Sequence, residues 1–174
     1  MSRRVITILI ALISFSNCHN NSKERSFESR TNKKDSSDEL AIYSADDQEM
    51  NAAQMEARRT YPEFLTALQN GCNGCANFLI KMRFSYGEAN GEHIWIENLQ
   101  IGDGEVRGTL ANVPENIQNL NYADTVEVVK EKISDWKYTQ NGKLVGGYTL
   151  RVMYNRMTEE EKRQFESAIE AKID

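Results

Sequence analysis

Proline, histidine and positive charge are all in short supply, and each shortage closes a class of function. Two prolines and ten glycines in 174 residues exclude a collagen-like or low-complexity polymer. Lys and Arg number 21 against 26 Asp and Glu, for a formal charge of -5. That balance argues against sequence-independent nucleic-acid binding, which needs a basic face. Histidine is confined to His19 and His93, and cysteine to Cys18, Cys72 and Cys75. A zinc site on the Cys72–Cys75 pair would need two more ligands, with no second cysteine pair to supply them. No metal and no cofactor are therefore expected. Nor is there a serine nucleophile elbow, an HExxH helix or an EF-hand loop, so no catalytic set can be named. What is present, 40% hydrophobic residues, suffices for one ordinary domain with a core.

The N-terminus reads as an address. Arg3 and Arg4 precede the uncharged stretch Val5 to Phe15 (VITILIALISF). Such a stretch, about 16 Å long as a helix, covers only half of a ~30 Å hydrocarbon core, so a secretory signal fits better than a membrane span. It runs into Ser16-Asn17-Cys18, which resembles the lipobox of bacterial lipoproteins, with Phe15 in place of the usual Leu and Asn17 in place of Gly or Ala. Residues 1–17 are then a signal peptide and Cys18 the lipidated residue. The alternative is an ordinary signal peptide with Cys18 incidental. Removing 1–17 deletes two positive charges and no negative ones, which leaves 19 against 26, a net of -7. Residues 18–45 are rich in Ser, Asn and mixed charges. They cannot bury enough apolar area to offset their ordering entropy, and read as a tether.

From residue 46 to 174 the pattern is that of an α+β domain: N-terminal helices, an antiparallel sheet of about five short strands and a C-terminal helix. Met50, Ala53, Ala57, Tyr61, Phe64, Leu65 and Leu68 recur at helical spacing. Pro62, with Thr60-Tyr61-Pro62-Glu63 as a capping box, predicts two helices or one sharp kink there. Asn77 to Tyr86 alternates, with Phe78, Ile80, Met82, Phe84 and Tyr86 on one face and Lys81, Arg83 and Ser85 on the other. Further strands are expected over 92–101, 105–111, 125–130 and 133–138, with one helical turn over 114–118. Asn141-Gly142 is a hairpin turn signal. A helix capped by Thr149 follows, and Thr158 with Glu161 boxes the start of the last helix.

Several of these segments together resemble one family. Asp46-Asp47-x-Glu49-Met50-x-x-Ala53, Ala57-Arg58 and Phe64 are similar to the start of the YegJ-like family of bacterial proteins, a domain of unknown function. The resemblance continues through Glu92-His93-Ile94-Trp95 and Asn112-x-Pro114. It is densest at Ile133-Ser134-Asp135-Trp136-x-Tyr138 and Gly146-Gly147-Tyr148-Thr149-x-Arg151. Ala123-Asp124 departs from the family's Gly-Asp. The resemblance implies a fold and almost no chemistry.

Five residues form a candidate binding surface: His93, Trp95, Asp135, Tyr148 and Arg151. His93 and Trp95 alternate onto one strand face, either covered, solvated or a binding platform. Asp135 is expected to make a turn hydrogen bond beside a buried Trp136. Gly146-Gly147 offers either a tight turn or free N–H groups that hold an anion near Arg151. Cys72-Asn73-Gly74-Cys75 is expected as a disulfide of an oxidising compartment, with free thiols or a metal or redox role as alternatives. The expected protein is a bacterial cell-envelope lipoprotein, lipid-anchored to a membrane or else soluble in the periplasm or secreted. Its domain is expected to bind a protein partner and not nucleic acid. The alternatives are an immunity-like role against a toxin, or a hydrolase using His93 and Asp135.

Overall fold

The computed structural model describes residues 47–88 and 90–174. The expected signal peptide, Cys18 and the tether lie outside these residues. Helix α1 (Gln48–Asn70) starts where an Asp47 carboxylate oxygen accepts from the Met50 N–H at 3.1 Å, satisfying one of the free donors of the first turn. Its buried stripe is Met50, Ala53, Ala57, Thr60, Tyr61 and Phe64.

Pro62 does not divide α1 into two helices. Thr60, expected as a cap, donates its hydroxyl back to the Glu56 carbonyl at 2.8 Å instead. Tertiary burial explains the difference. Ala57, Tyr61 and Phe64 straddle the proline and all pack on one sheet face, so breaking the helix would lose that contact. Full burial of one such side chain is worth roughly 1.5–3 kcal/mol, comparable to the ~3 kcal/mol penalty of an interior proline.

The strands are β1 (Cys75–Tyr86), β2 (Asn90–Gly102), β3 (Glu105–Leu110), β4 (Thr125–Glu127), β5 (Ile133–Gln140) and β6 (Lys143–Gly146). They form one sheet in the order β4-β3-β2-β1-β5-β6, with every neighbouring pair antiparallel. The expected count of five is short by β6, which returns from the Asn141-Gly142 turn. Residues 114–118 are irregular where one helical turn was expected. β4 is short because the chain leaves the edge there, passes a 3₁₀ turn (Lys130–Lys132) and crosses to pair β5 with β1. Helices α2 (Tyr148–Asn155) and α3 (Glu159–Ala168) complete the α+β fold. The Thr158–Glu161 capping box at α3 is formed in both directions.

Both sheet faces are covered. On one, Ala57, Tyr61 and Phe64 of α1 pack against Ile80, Ile133 and Trp136, and Met82, Ile94, Ile96 and Leu110 extend that apolar layer. On the other, Trp95 and Leu144 join Leu150 and Met153 of α2 and Phe165 of α3. This second cover turns one polar face of β1 and β5 into an interior.

Candidate functional site

The second face carries a row of unlike side chains across three strands. Asp135 on β5 is in register with Lys81 on β1, and Lys81 with Trp95 on β2. One step along, Arg83 lies opposite His93. Lys137 follows Asp135 on the same face two residues later, as strand alternation requires. Asp135 is fully buried, and Lys81 and Lys137 are only 7% and 9% exposed.

Asp135 is saturated with donors. One carboxylate oxygen accepts from the N–H groups of Trp136 (2.8 Å) and Tyr148 (3.0 Å). The other accepts from the Thr149 N–H (2.9 Å) and hydroxyl (2.5 Å). The Asp135 carboxylate therefore caps α2, from which it is separated by thirteen and fourteen residues at Tyr148 and Thr149. Thr149, expected as that cap, lies inside the helix, and the N-cap is Gly147 in the left-handed region at φ 64°. Gly146 precedes it at φ 70°, directly over the Trp136 ring, where a β-carbon would collide. The N–H groups that meet an anion are those of Tyr148 and Thr149, just after the glycine pair, and that anion is the chain's own Asp135; the Gly147 N–H donates to the Trp136 carbonyl at 2.8 Å instead. Burial pushes the Asp135 carboxyl up from its ordinary value, while Lys81, Thr149 and the backbone N–H of Trp136 oppose this.

The two lysines are much less satisfied. The Lys81 ammonium donates to the Thr149 hydroxyl at 3.3 Å and lies 4.6 Å from the Trp95 ring centre. Lys137 approaches the same ring at 5.8 Å. Burial lowers both ammonium groups, with Asp135 as the main opposing charge. Both contacts fall within cation–π range. The sequence places Lys81 on the strand face opposite Phe78, Ile80 and Met82 and offers Thr149 as a helix cap, but neither these two nor Lys137 is among the site residues read from it. Alternation places Lys81 on the polar face of β1 but is silent on whether α2 covers that face.

The five expected surface residues separate. Trp95 and Asp135 belong to the buried row. His93 is exposed at its rim. Dehydration on the crowded face, then the charges of Lys81 and Arg83, lower its imidazole to about 4. His93 and Asp135 stand two strands and two residues apart, roughly 10–12 Å along the sheet, and no hydrogen bond joins them. Tyr148 contributes only its N–H; its ring packs edge-on to Trp136 at 5.6 Å on the α1 side. Arg151, expected beside an anion, spends its guanidinium on the carbonyls of Gly146 (3.0 Å), Leu144 (2.8 Å) and Asp174 (3.2 Å). It ties β6 to α2 and to the last residue. Cys72 and Cys75 stand at disulfide distance with Cα atoms 5.3 Å apart, within the usual range for a bridge. Among the described residues, no three His, Cys, Asp or Glu side chains gather as a metal set.

Residues 47–171 match the family described as uncharacterized protein conserved in bacteria (DUF2314). The chain belongs to this family. Family relatives include the uncharacterized protein YegJ of Escherichia coli K12, 30% identical over 114 residues, which cover 66% of this chain and 72% of that one. A Neisseria meningitidis serogroup B protein named for ankyrin repeats is 30% identical over 129 residues, 70% of this chain and 51% of its own length. The chain thus spans about half of that relative. No solved structure matches it.

Proposed function

We propose that the chain is a binding module of the bacterial cell envelope, exported by its N-terminal segment, anchored through Cys18 and carrying the domain on a tether. The proposed contact face is the second sheet face, where His93 and Arg83 form a rim beside Trp95. The observation that supports binding over catalysis is the state of Asp135. Its oxygens are fully engaged in capping α2, it is buried, and it lies roughly 10–12 Å from His93. A hydrolase built on His93 and Asp135 would need the two within hydrogen-bond reach, directly or through one water.

The reading is tested with the full chain immobilised against envelope extract. A protein retained by the wild type should be lost at least tenfold with His93→Glu and kept with Met55→Ala, a change on the outer side of α1. Equal retention by both variants removes this face from the reading, and no specific partner at all overturns it.

A further inference from the structure

β1 and β2 run side by side for only part of their length. Their ladder extends from Ile80 opposite Ile96 to Tyr86 opposite Asn90. Beyond Ile80 the two strands follow different partners. Cys75, Ala76 and Leu79 of β1 pair with β5, and Gln100, Ile101 and Gly102 of β2 pair with β3. A register shift lies on each side of this fork, between Ala76 and Leu79 and between Glu97 and Gln100. Asn77 (φ 55°) and Asn98 (φ 52°) take left-handed backbone angles within those shifts, the mark of bulges that bend a strand. The inner edges of Cys75–Leu79 and Glu97–Gly102 therefore have no ladder with one another. An unpaired strand edge is a template for another strand.

An open groove of about 490 Å³ lies beside the forked end of β2, lined by Leu68, Gln69 and Asn70 of α1 and by Leu99 and Ile101. α1 ends here without closure. Its last turn holds no basic residue, and among the described residues no backbone N–H after Asn70 bonds back to it. The carbonyls of that turn are the negative end of the helix dipole and lack donors. The side chains around the groove have the same sign. From Glu63 to Ile80 and from Glu97 to Arg107 the charged residues are Glu63, Glu97, Asp103, Glu105 and Arg107. Arg107 is paired with Glu105 at 2.7 Å, and Glu127 of β4 lies opposite it in register. Lys130 and Lys132 follow Val129, whose N–H reaches Met82 in the paired half of β1.

We infer that the fork docks an extended, basic segment of a partner protein, which pairs as an added strand with the inner edge of β2. Main-chain bonds along that edge supply affinity, and alternate side chains supply selectivity. One apolar side chain of the segment sits between Leu68 and Leu99. A neighbouring Lys or Arg meets the open carbonyls of α1 and the acidic rim. Charge decides the sign of the partner: the groove offers acceptors and carboxylates, and its one cation is already paired. The fork lies on the α1 side of the sheet, apart from the second face, so the inference does not rest on the reading of that face.

The test titrates the isotope-labelled full chain with a short synthetic peptide of alternating lysine and valine, followed by amide resonances. The amides of Leu68 to Gly71 and of Glu97 to Gly102 should shift saturably. Methylating the peptide's backbone nitrogens keeps its charge and side chains but removes its N–H donors, and should weaken binding by about tenfold. A glutamate–valine peptide should not bind. Gln69→Arg, at an exposed position, places a cation of the chain's own at the end of α1. It should weaken the lysine peptide by about tenfold and leave Tm unchanged or raised, since a cation suits a helix C-terminus. Four results would overturn the site: no saturable shift, shifts centred on His93 and Trp95, equal binding of the methylated peptide, or binding indifferent to Gln69→Arg. Loss of the envelope partner in the His93→Glu experiment leaves the fork untouched, so the two readings fail separately.

Discussion

His93 stands on a strand face between two cations, and its titration should report that position. Dehydration, followed by Lys81 and Arg83, lowers its imidazole from 6.5 to about 4. Between those values the unfolded chain binds more protons than the folded one, so stability falls as pH drops through that window and is fully present above it. Tm measured from pH 7 to 4 should decline, and His93→Gln should flatten that slope. Because the ring is exposed at its rim, added salt should shrink the effect. Identical profiles for the two proteins would mean an ordinary histidine. Arg151 and Trp136 make a second pair of expectations. Trp136 is 2% exposed, donates its indole N–H to the Ala57 carbonyl at 2.9 Å and lies 5.3 Å from Phe64. Trp136→Ala should cost roughly 3–5 kcal/mol. Arg151→Ala should also destabilise, by about 2 kcal/mol, because it frees three carbonyls from charge-assisted bonds. Arg151→Lys should not rescue it, since one ammonium cannot reproduce the guanidinium fork. Chemical denaturation of the three variants measures both effects, and an unchanged midpoint for Arg151→Ala would return that residue to the list of binding candidates.

Among the elements, α1 is the one that runs against its own sequence. Pro62 is exposed, supplies no N–H to the preceding turn, and is carried along by the buried stripe on either side. Pro62→Ala should therefore stabilise the domain, by about 1–3 kcal/mol, through a restored backbone bond and better propensity. A loss of stability would show that the proline sets a bend on which packing depends. The turn from α1 into β1 depends on a second local device. The Cys72 carbonyl accepts from the Cys75 N–H at 3.1 Å, and the Gly74 carbonyl accepts from Asn141 at 2.9 Å, docking this turn on the β5–β6 hairpin. A bridge between Cys72 and Cys75 closes a very small loop, so its entropic contribution is modest. Exported protein should be lighter by two hydrogens than after reduction, and reduction should lower Tm only slightly. Free thiols in freshly exported protein would refute the bridge.

For the whole molecule the question is where the domain is held. Among the described residues no helix is long and apolar enough to cross a membrane. The proposed attachment is lipid on Cys18, with residues 19–45 as the spacer. A single acyl chain binds a membrane only marginally, so stable anchoring requires the several chains typical of a bacterial lipoprotein. Palmitate labelling should mark the wild type and not Cys18→Ser, and equal labelling of both, or of neither, would sink the anchor. The contact face would then have to act on a soluble, exported protein.

Much of the architecture lies in local pattern. Helical spacing from Met50 to Phe64, the alternation of β1 and β2, the Asn141-Gly142 turn and the Thr158–Glu161 box each act within a few residues, and each formed where the sequence placed it. The strand faces were legible too: Ile94 and Ile96 are buried together, and Trp95 points the other way. The site depends on contacts that no local pattern encodes. Asp135 meets the start of α2 because the β5–β6 hairpin folds back, and the glycine pair lets the chain turn over Trp136. Lys81 is buried because a helix some seventy residues later in the chain, sixty-eight at Thr149, covers its strand. Period-two alternation assigns a lysine to a face; only the tertiary structure decides whether that face meets water, and that decision turns Lys81 and Lys137 from solvated charges into buried ones beside Asp135.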